Sequence, residues 1–145
     1  MIAVDTNLLI YSHRLESPFH PSAKELIESL RINPGPWAIP WPCVHEFLCI
    51  VTHPKVYKTP ASLDEAFASV DAWLAGGNLH LLGESDGYFE KLREIAKAAQ
   101  LKGPRIHDAR IAALCLHHGV RELWTADRDF SMFPQLKTRN PLVKT

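Results

Sequence analysis

The sequence predicts an α/β fold with a mostly parallel central sheet of four to five short strands, flanked by helices. Two observations predict this fold. Short apolar runs alternate along the chain with longer segments whose apolar residues recur at helical spacing. Capping-box, proline and glycine signals separate the two kinds of segment. The chain has no repeat or linker, so residues 1–145 are predicted to form a single domain.

The first predicted elements are one strand and two helices. The apolar run Ile2–Val4 is typical of a short buried strand, and residues 8–15 are predicted to form a short helix after it. Residues 17–21 are predicted to be a loop. The capping-box pattern Ser-Ala-Lys-Glu at residues 22–25 then predicts the start of a second helix, because apolar residues recur at helical spacing behind it.

A second strand and a third helix are predicted after a turn at residues 33–36. The strand Trp37–Pro40 is short because a proline cannot donate a hydrogen bond to a ladder. Pro42 suits the first position of a helix, which we expect to run to residue 52. The His-Pro pair that follows predicts its end.

A second capping box, at residues 62–65, predicts the fourth helix. The helix is expected to stop at the glycine pair at positions 76 and 77, and the apolar run Leu79–Leu82 predicts the third strand. Helical spacing places four apolar residues on one face of this helix: Phe67, Val70, Trp73 and Leu74.

Two more helices and two more strands complete the predicted alternation. Helices are expected over residues 86–101 and 107–118, each followed by a glycine that suits a helix end. Strands are predicted at residues 122–125 and, at the end of the chain, within residues 138–142. The first of these helices is predicted to turn four residues inward: Phe89, Leu92, Ala96 and Ala99.

Composition limits the possible modes of nucleic-acid binding. Apolar residues make up 46% and charged residues 22% of the chain, as in an ordinary globular domain. The 16 basic residues balance the 16 acidic ones, so the formal net charge is zero. Any binding of nucleic acid would therefore require a local basic patch.

The cysteines and the N-terminal sequence predict a cytoplasmic protein. Cys43, Cys49 and Cys115 are odd in number, lack paired spacing and lie in apolar sequence, so we expect them to be reduced core residues. Met1 leads directly into strand-like sequence, without the basic start of a signal peptide. The apolar runs are also too short to span a membrane, so no membrane contact is expected.

Four acidic residues lie near the predicted ends of strands or starts of helices, and each one alone has a structural explanation. Asp5 can cap the helix that follows it. Glu46 and Asp108 are favoured near helix N-termini by the helix dipole. Asp127 can form an Asx turn in its loop.

Their joint placement predicts a metal site. All four acids can lie on the rim at the carboxyl ends of parallel strands, where α/β proteins bind ligands. Four carboxylates in one cleft repel one another and raise some of their pKa values, unless a divalent cation neutralises them. Oxygen ligands favour Mg²⁺ or Mn²⁺, and such ions activate water for the hydrolysis of phosphate esters.

Five segments of the chain together resemble the PIN domain family, and most closely the VapC-type toxins of bacterial toxin–antitoxin pairs. The segments, in order, are AVDTNLLIY, PCVHEFLCIVTHP, IHDARIAALCLHHGV, ELWTADRDFSMFP and RNPL. The resemblance implies a PIN-like parallel sheet flanked by helices and a Mg²⁺- or Mn²⁺-dependent endoribonuclease. It also implies a homodimer that is restrained by an antitoxin protein.

The resemblance assigns roles to individual residues. Asn7 matches a polar position beside the first acid, and Thr125 matches a hydroxyl residue that braces the last one. Asp129 can hold a metal through water or only order its loop. His107 has no assigned role and is expected to be a solvated loop histidine. The family's catalytic and metal-binding acids match four residues, called here the acidic quartet: Asp5, Glu46, Asp108 and Asp127.

The resemblance also suggests where partners bind. The antitoxin of such a toxin lies along its surface and sends a basic side chain into the acidic site. Residues 8–11 and the helix around Phe47 and Leu48 are candidate walls of that groove, although each of these residues also suits an ordinary core.

An RNA substrate requires cations beside the acidic quartet. Trp37 and Trp41 can stack on bases, but core packing is the simpler interpretation of both. Five basic residues lie near the acidic motifs and can contact phosphate or remain solvated: Arg14, Lys102, Arg105, Arg110 and Arg128. Of these, Arg105, Arg110 and Arg128 are the candidates for substrate binding.

Other functions fit the sequence less well. The chain has no Gly-x-Gly-x-x-Gly motif and no P-loop, and His45-Glu46 lacks the second histidine of a zincin. A different class of function stays open, a PIN-like module that is catalytically inactive and binds only RNA or a protein. An intact acidic quartet argues against it, because an idle cluster of like charges would only destabilise the fold.

Overall fold

A five-stranded parallel sheet forms the centre of the molecule, in a computed structural model that describes residues 1–143. The spatial order of the strands is β3-β2-β1-β4-β5, and every neighbouring pair is parallel. The predicted α/β architecture is therefore confirmed. The strands are β1 (Ile2–Val4), β2 (Trp37–Pro40), β3 (Leu79–Leu82), β4 (Glu122–Trp124) and β5 (Thr138–Arg139).

Six α-helices flank this sheet. Two short 3₁₀ helices are also present. Gly103–Arg105 lies directly before the last α-helix, and Arg128–Met132 follows β4. The α-helices are α1 (Thr6–His13), α2 (His20–Ile32), α3 (Trp41–Val51), α4 (Leu63–Ala75), α5 (Tyr88–Ala98) and α6 (Ile106–His117).

The strand order reverses between β1 and β4. The chain adds β2 and β3 on one side of β1, and then places β4 and β5 on the other side. Ligands of open parallel sheets bind in the crevice outside the strand ends at such a reversal. Asp5 directly follows β1 and Asp127 follows β4, so the fold brings these two acids to this crevice.

Small and apolar residues hold the helices against the sheet. Ala3 and Val4 of β1 are completely buried. The α6 helix turns Ala109, Ala112 and Ala113 inward, all three completely buried, and it contacts both β2 and α3. Because these side chains are short, α6 can pack closely on its neighbours, with Asp108 in its first turn.

The predicted start of α2 was wrong. The helix begins at His20, and the capping box expected at residues 22–25 does not form. Phe19 occupies the N-cap position without a side-chain hydrogen bond, and Pro21 lies in the first turn. The fixed φ angle of proline suits this position, so the helix begins before Ser22.

Several apolar helix residues are exposed. Of the four residues expected on one face of α4, Phe67 and Leu74 are exposed, whereas Val70 and Trp73 are buried. Phe89 of α5 is 61% exposed and lies under the Arg93 guanidinium, 4.8 Å from its ring centroid. In each case a smaller or neighbouring residue of the same helix fills the core position instead, such as Ala66 in α4.

The structure also differs from the prediction at the ends of two elements. The last strand is limited to Thr138–Arg139, because Pro141 cannot donate to a ladder and Asn140 Oδ1 accepts a hydrogen bond from the Leu142 amide. The α5 helix starts at Tyr88 because Gly87 precedes it with a φ of 92°, a left-handed conformation that favours glycine.

Two of the three cysteines are core residues as predicted. Cys43 and Cys115 are buried, but Cys49 is exposed on α3, so the prediction was wrong for that residue. Among residues 1–143, no helix has both the length and the apolar character needed to cross a membrane.

The two Ser-x-x-Glu sequences allow a matched test of the helix caps. Ser62 accepts a hydrogen bond from the Glu65 amide and Glu65 accepts one from the Ser62 amide. We expect Ser62→Ala to lower the free energy of unfolding by about 1 kcal/mol. Ser22→Ala should leave it within about 0.5 kcal/mol of wild type. Urea unfolding of both variants measures this, and equal effects would contradict the assignment.

Candidate functional site

All four members of the acidic quartet line one cavity at the strand reversal. The cavity has a volume of about 210 Å³ and is also lined by Thr6 and Asn7. Its apolar walls strengthen the interactions between charges because they exclude water. These walls are formed by Ile10, Ile50, Ile111 and Phe130.

Asp5 is the deepest acid and has two structural roles at once. It is 4% exposed and caps α1, because its Oδ1 accepts a hydrogen bond of 2.8 Å from the Thr6 amide. Its Oδ2 accepts a hydrogen bond of 2.7 Å from the Thr125 hydroxyl. Each oxygen has one further, longer contact of 3.4 Å, to Cys43 Sγ and to Asn7 Nδ2. These long contacts are the weakest and would be the first that an ion could replace.

Thr125 and Asn7 join the ends of β1 and β4. The Thr125 Oγ1 atom donates to Asp5 and accepts a hydrogen bond of 2.9 Å from the Asp127 amide. Asn7 donates to the same Thr125 oxygen at 3.3 Å and accepts from the Ala126 amide at 3.1 Å. Two acids on different strands are therefore held in one hydrogen-bond network.

The other acids come from helices or from a tight turn. Asp108 lies in the first turn of α6, and Glu46 lies on α3. Asp127 caps the 3₁₀ helix after β4, because its Oδ1 accepts a hydrogen bond of 2.8 Å from the Asp129 amide. Asp129 itself is exposed and does not line the cavity, although its charge acts on Asp108.

Burial and mutual repulsion raise the pKa values of three quartet members, Asp5, Glu46 and Asp108. Burial raises the pKa of Asp5, although the hydrogen bond from Thr125 opposes this shift. Loss of water contact also raises the pKa of Glu46, and the charge of Asp5 adds to that effect. Burial raises the pKa of Asp108, followed by the charges of Asp127 and Asp129. The cluster therefore disfavours its own ionised state.

The chemistry of the cavity suits a hard divalent cation. Every polar side chain that lines it offers oxygen, and Asn7 adds its amide nitrogen. The Thr6 hydroxyl is buried there, without a hydrogen-bond partner within the described residues. As positioned, however, no three His, Cys, Asp or Glu side chains of residues 1–143 converge closely enough to hold one ion. The carboxylates would have to turn inward to share a cation.

The predicted cations differ in their surroundings. Arg14 pairs with Glu16 at 2.6 Å and lies over the Tyr57 ring, so it is already engaged in the fold. Arg110 lies 3.5 Å from Glu84.

Two further basic residues, Lys102 and Arg105, line a separate depression that contains no quartet member. Arg128 lines a cleft that includes Asp127. Of the predicted cations, Arg128 and Arg110 are thus the two that share a depression with a quartet acid.

The two tryptophans near β2 differ from each other. Trp37 is buried, and its indole nitrogen donates to Asn78 Oδ1 at 3.2 Å. Trp41 is 40% exposed and stacks on His45, with ring centroids 5.7 Å apart, so the core interpretation was wrong for Trp41. His107 is exposed and lines a small depression with Glu46 and Asp108.

The proposed groove walls are mostly interior. Leu8, Leu9 and Phe47 are completely buried, so they cannot form a docking surface. Ile10, Tyr11 and Leu48 are only partly buried. Sequence inspection also missed Cys43 as a contact of Asp5, and its only signal was its position one helical turn before Glu46.

Comparisons with known proteins agree on one family. The PIN domain family model matches residues 2–135. Ribonuclease VapC48 of Mycobacterium tuberculosis is 31% identical over 137 residues, which cover 94% of each chain. The solved VapBC2 complex from Rickettsia felis, bound to a promoter DNA fragment, contains a chain of similar fold, with a TM-score of 0.68 and 19% sequence identity. The match covers 96% of this protein and 98% of the VapBC2 chain. VapC20 of M. tuberculosis, described as a sarcin–ricin loop cleaving toxin, gives a TM-score of 0.66, 18% identity and 90% and 93% coverage.

The hydrogen bond between Thr125 and Asp5 is tested by Thr125→Val. The variant leaves a buried carboxylate without its shortest hydrogen bond, so we expect a loss of about 2 kcal/mol in metal-free protein at neutral pH. The loss of this bond also raises the folded pKa of Asp5 further. The deficit should therefore be greatest above the folded pKa of Asp5 in the variant, and it should shrink as the pH falls through the folded pKa values of variant and wild type, which both lie above the unfolded value of 3.8.

Thr138→Val is the matched control, because Thr138 is a β5 residue with no side-chain hydrogen bond in the described part of the chain. Denaturant unfolding in EDTA at several pH values measures both variants. A deficit that is equal in the two variants, or independent of pH, would show that Thr125 does not stabilise the ionised Asp5.

Proposed function

The chain belongs to the PIN domain family, and on this premise we propose that it is a Mg²⁺- or Mn²⁺-dependent endoribonuclease that acts in the cytoplasm as the toxin of a toxin–antitoxin pair. The observation that carries the proposal is the convergence of the acidic quartet on one cavity at the strand reversal. Parallel sheets bind their ligands at this position. The names of relatives add support, since VapC48 is named a ribonuclease and VapC20 a toxin that cleaves an RNA loop.

Different residues of the cavity would have different roles in such a reaction. A bound Mg²⁺ or Mn²⁺ would supply a Lewis acid and an activated water for attack on a phosphodiester. Asp5 and Asp127 would hold the ion, because Thr125 fixes both of them at strand ends. Glu46 and Asp108 would complete the ligand set, because both line the same cavity as Asp5 and Asp127. Asp129 would contact the ion only through water.

The principal alternative is an inactive module that binds RNA or protein without cleaving it. A cluster of carboxylates with raised pKa values destabilises the folded state at neutral pH, and a module without a metal would gain nothing from it. The cluster is therefore better explained by a cation that it binds.

Two protein partners are part of the proposal. An antitoxin would restrain the enzyme by placing a basic side chain in the acidic cavity, where like charges already repel one another. We also propose a homodimer. Leu63, Phe67 and Leu74 form an exposed apolar stripe along one side of α4, the kind of surface that a protein partner covers.

RNA cleavage by the purified protein tests the proposed reaction. The purified protein should cleave single-stranded or looped RNA only with Mg²⁺ or Mn²⁺ present, and a hairpin with the sarcin–ricin loop is a suitable first substrate. Because water is the nucleophile, the products should carry a 5′-phosphate and a 3′-hydroxyl. End-labelled RNA and phosphatase sensitivity measure this. Products with 2′,3′-cyclic phosphate ends, or full activity in EDTA, would rule out the mechanism.

The variant Asp108→Asn tests whether Asp108 belongs to a metal site or only stabilises the start of α6. Asp108 makes no hydrogen bond that lowers its pKa, so Asp108→Asn removes one charge from the quartet without breaking a contact. In EDTA at neutral pH the variant should melt about 1–3 °C above wild type, because solvent screens this partly exposed residue. The gain should vanish below pH 3.8, where the wild-type carboxyl is protonated in both states.

With Mn²⁺ the order should reverse, because the variant binds the ion less tightly and gains less stability from it. Cleavage should fall by about 100-fold or more. Asp71→Asn, an exposed change in the middle of α4, is the control and should alter neither melt nor activity. If Asp108→Asn melts like wild type in both conditions and still cleaves RNA, Asp108 only stabilises the start of α6.

A further inference from the structure

A second cleft opens beside the acidic cavity and shares Asp127 with it. The cleft has a volume of about 700 Å³, within the range of small-molecule binding sites. We call it the arginine cleft after its two basic residues. The residues that matter for its chemistry are Thr125, Asp127, Arg128, Thr138, Arg139 and Asn140.

In the described part of the chain, neither arginine of this cleft forms an ion pair. No carboxylate lies within ion-pair distance of Arg128 or Arg139 anywhere in residues 1–143. Both residues are exposed. Arg14, Arg31 and the other paired arginines, by contrast, each lie beside a glutamate. Within residues 1–143, the arginine cleft therefore carries two positive charges without an ion-pair partner beside a site of concentrated negative charge.

The sheet holds these arginines at a fixed distance from the quartet. The Thr125 amide donates a hydrogen bond of 2.9 Å to the Arg139 carbonyl, and Arg139 pairs with Trp124 in the β4–β5 ladder. Arg128 directly follows Asp127, whose amide is held by the Thr125 hydroxyl at 2.9 Å. Thr125 thus positions both the Asp5 carboxylate and the backbones of the two arginines.

The polar groups of the cleft suit a sugar–phosphate chain. Arginine binds phosphate oxygens with two parallel N–H groups. Thr138 adds a hydroxyl, and Asn140 adds an amide NH₂ group, because its Oδ1 already accepts from the Leu142 amide. Hydroxyl and amide groups recognise ribose 2′-hydroxyls, which distinguish RNA from DNA.

We propose that the arginine cleft binds the RNA backbone directly next to the phosphate that is cleaved, an inference that rests on the proposed ribonuclease function. Arg128 and Arg139 bind non-bridging oxygens of the adjacent phosphates, while the scissile phosphate lies over the acidic quartet. The zero net charge of the chain and the repulsion from the quartet make such local cations necessary for binding a polyanion.

The test compares Arg128→Ala, Arg139→Ala and the double variant with Arg121→Ala. Arg121 is a matched control, because it is an exposed arginine at the opposite end of β4, where its amide bonds to the Met1 carbonyl. Binding of a fluorescently labelled single-stranded RNA is followed by anisotropy in a KCl series. Cleavage kinetics of the same RNA give KM and kcat separately. Melting with Mn²⁺ reports whether the metal site is intact.

Each cleft variant should weaken RNA binding and raise KM by about two- to fivefold, the range expected for an exposed ion pair. The slope of log affinity against log salt should fall by about 0.7 for each arginine, the value for a phosphate contact to a single strand. The value of kcat and the Mn²⁺-induced rise in Tm should stay near wild type. Arginine-to-lysine variants should recover most of the salt slope, and Arg121→Ala should change nothing.

The outcomes separate this inference from the proposed function. If wild type cleaves RNA and the cleft variants keep its affinity and salt slope, the cleft is not the RNA site, although the nuclease function stands. A fall in kcat with unchanged KM would equally overturn it. If the variants lose affinity only for an acidic peptide such as polyglutamate, the cleft binds a protein segment instead. If wild type binds RNA through the two arginines but never cleaves it, the cleft is an RNA-binding site, whereas the nuclease proposal and the position beside a cleaved phosphate both fail.

Discussion

The site depends on one hydrogen bond, from the Thr125 hydroxyl to the Asp5 carboxylate at 2.7 Å. It crosses the point where the strand order reverses, and it adds a side-chain link to the backbone hydrogen bond of 2.9 Å from the Asp5 amide to the Trp124 carbonyl. The same oxygen accepts the Asp127 amide, so one buried side chain fixes two acids from different strands. The Thr125 amide also donates a hydrogen bond of 2.9 Å to the Arg139 carbonyl, so the network includes the backbone of Arg139.

This network opposes a large electrostatic penalty. Burial, together with the charges of neighbouring quartet members, raises the pKa values of Asp5, Glu46 and Asp108, so these ionised carboxylates destabilise the folded state as the pH rises. Hydrogen bonds from Thr125 and Thr6 recover only part of that loss. Strain of this kind is concentrated at functional sites. A divalent cation would relieve it, and the arginine cleft would let a polyanion approach the same negative centre.

The sequence predicted the strands and the meeting of the four acids at one edge of the sheet, because their signals are local. The run Ile2–Val4 is apolar and ends at a carboxylate, and the Ser62 capping box forms as expected. The Ser22 pattern looked equivalent, but Pro21 could start the helix earlier. Exposure was harder to predict, because the outward positions of Phe89 and Trp41 depend on which neighbouring elements cover each helix.

The sequence could not show that the two explanations of Asp5 are compatible. Asp5 caps α1 through one oxygen and faces the quartet cavity with the same carboxylate. An Asp5→Asn change would therefore lose the acceptor for the Thr125 hydroxyl as well as a charge. The most direct test of the account is the anomalous diffraction signal of crystals soaked in Mn²⁺. The account predicts a manganese peak bound by Asp5 and at least one other quartet carboxylate, and well-ordered carboxylates with no peak between them would contradict it.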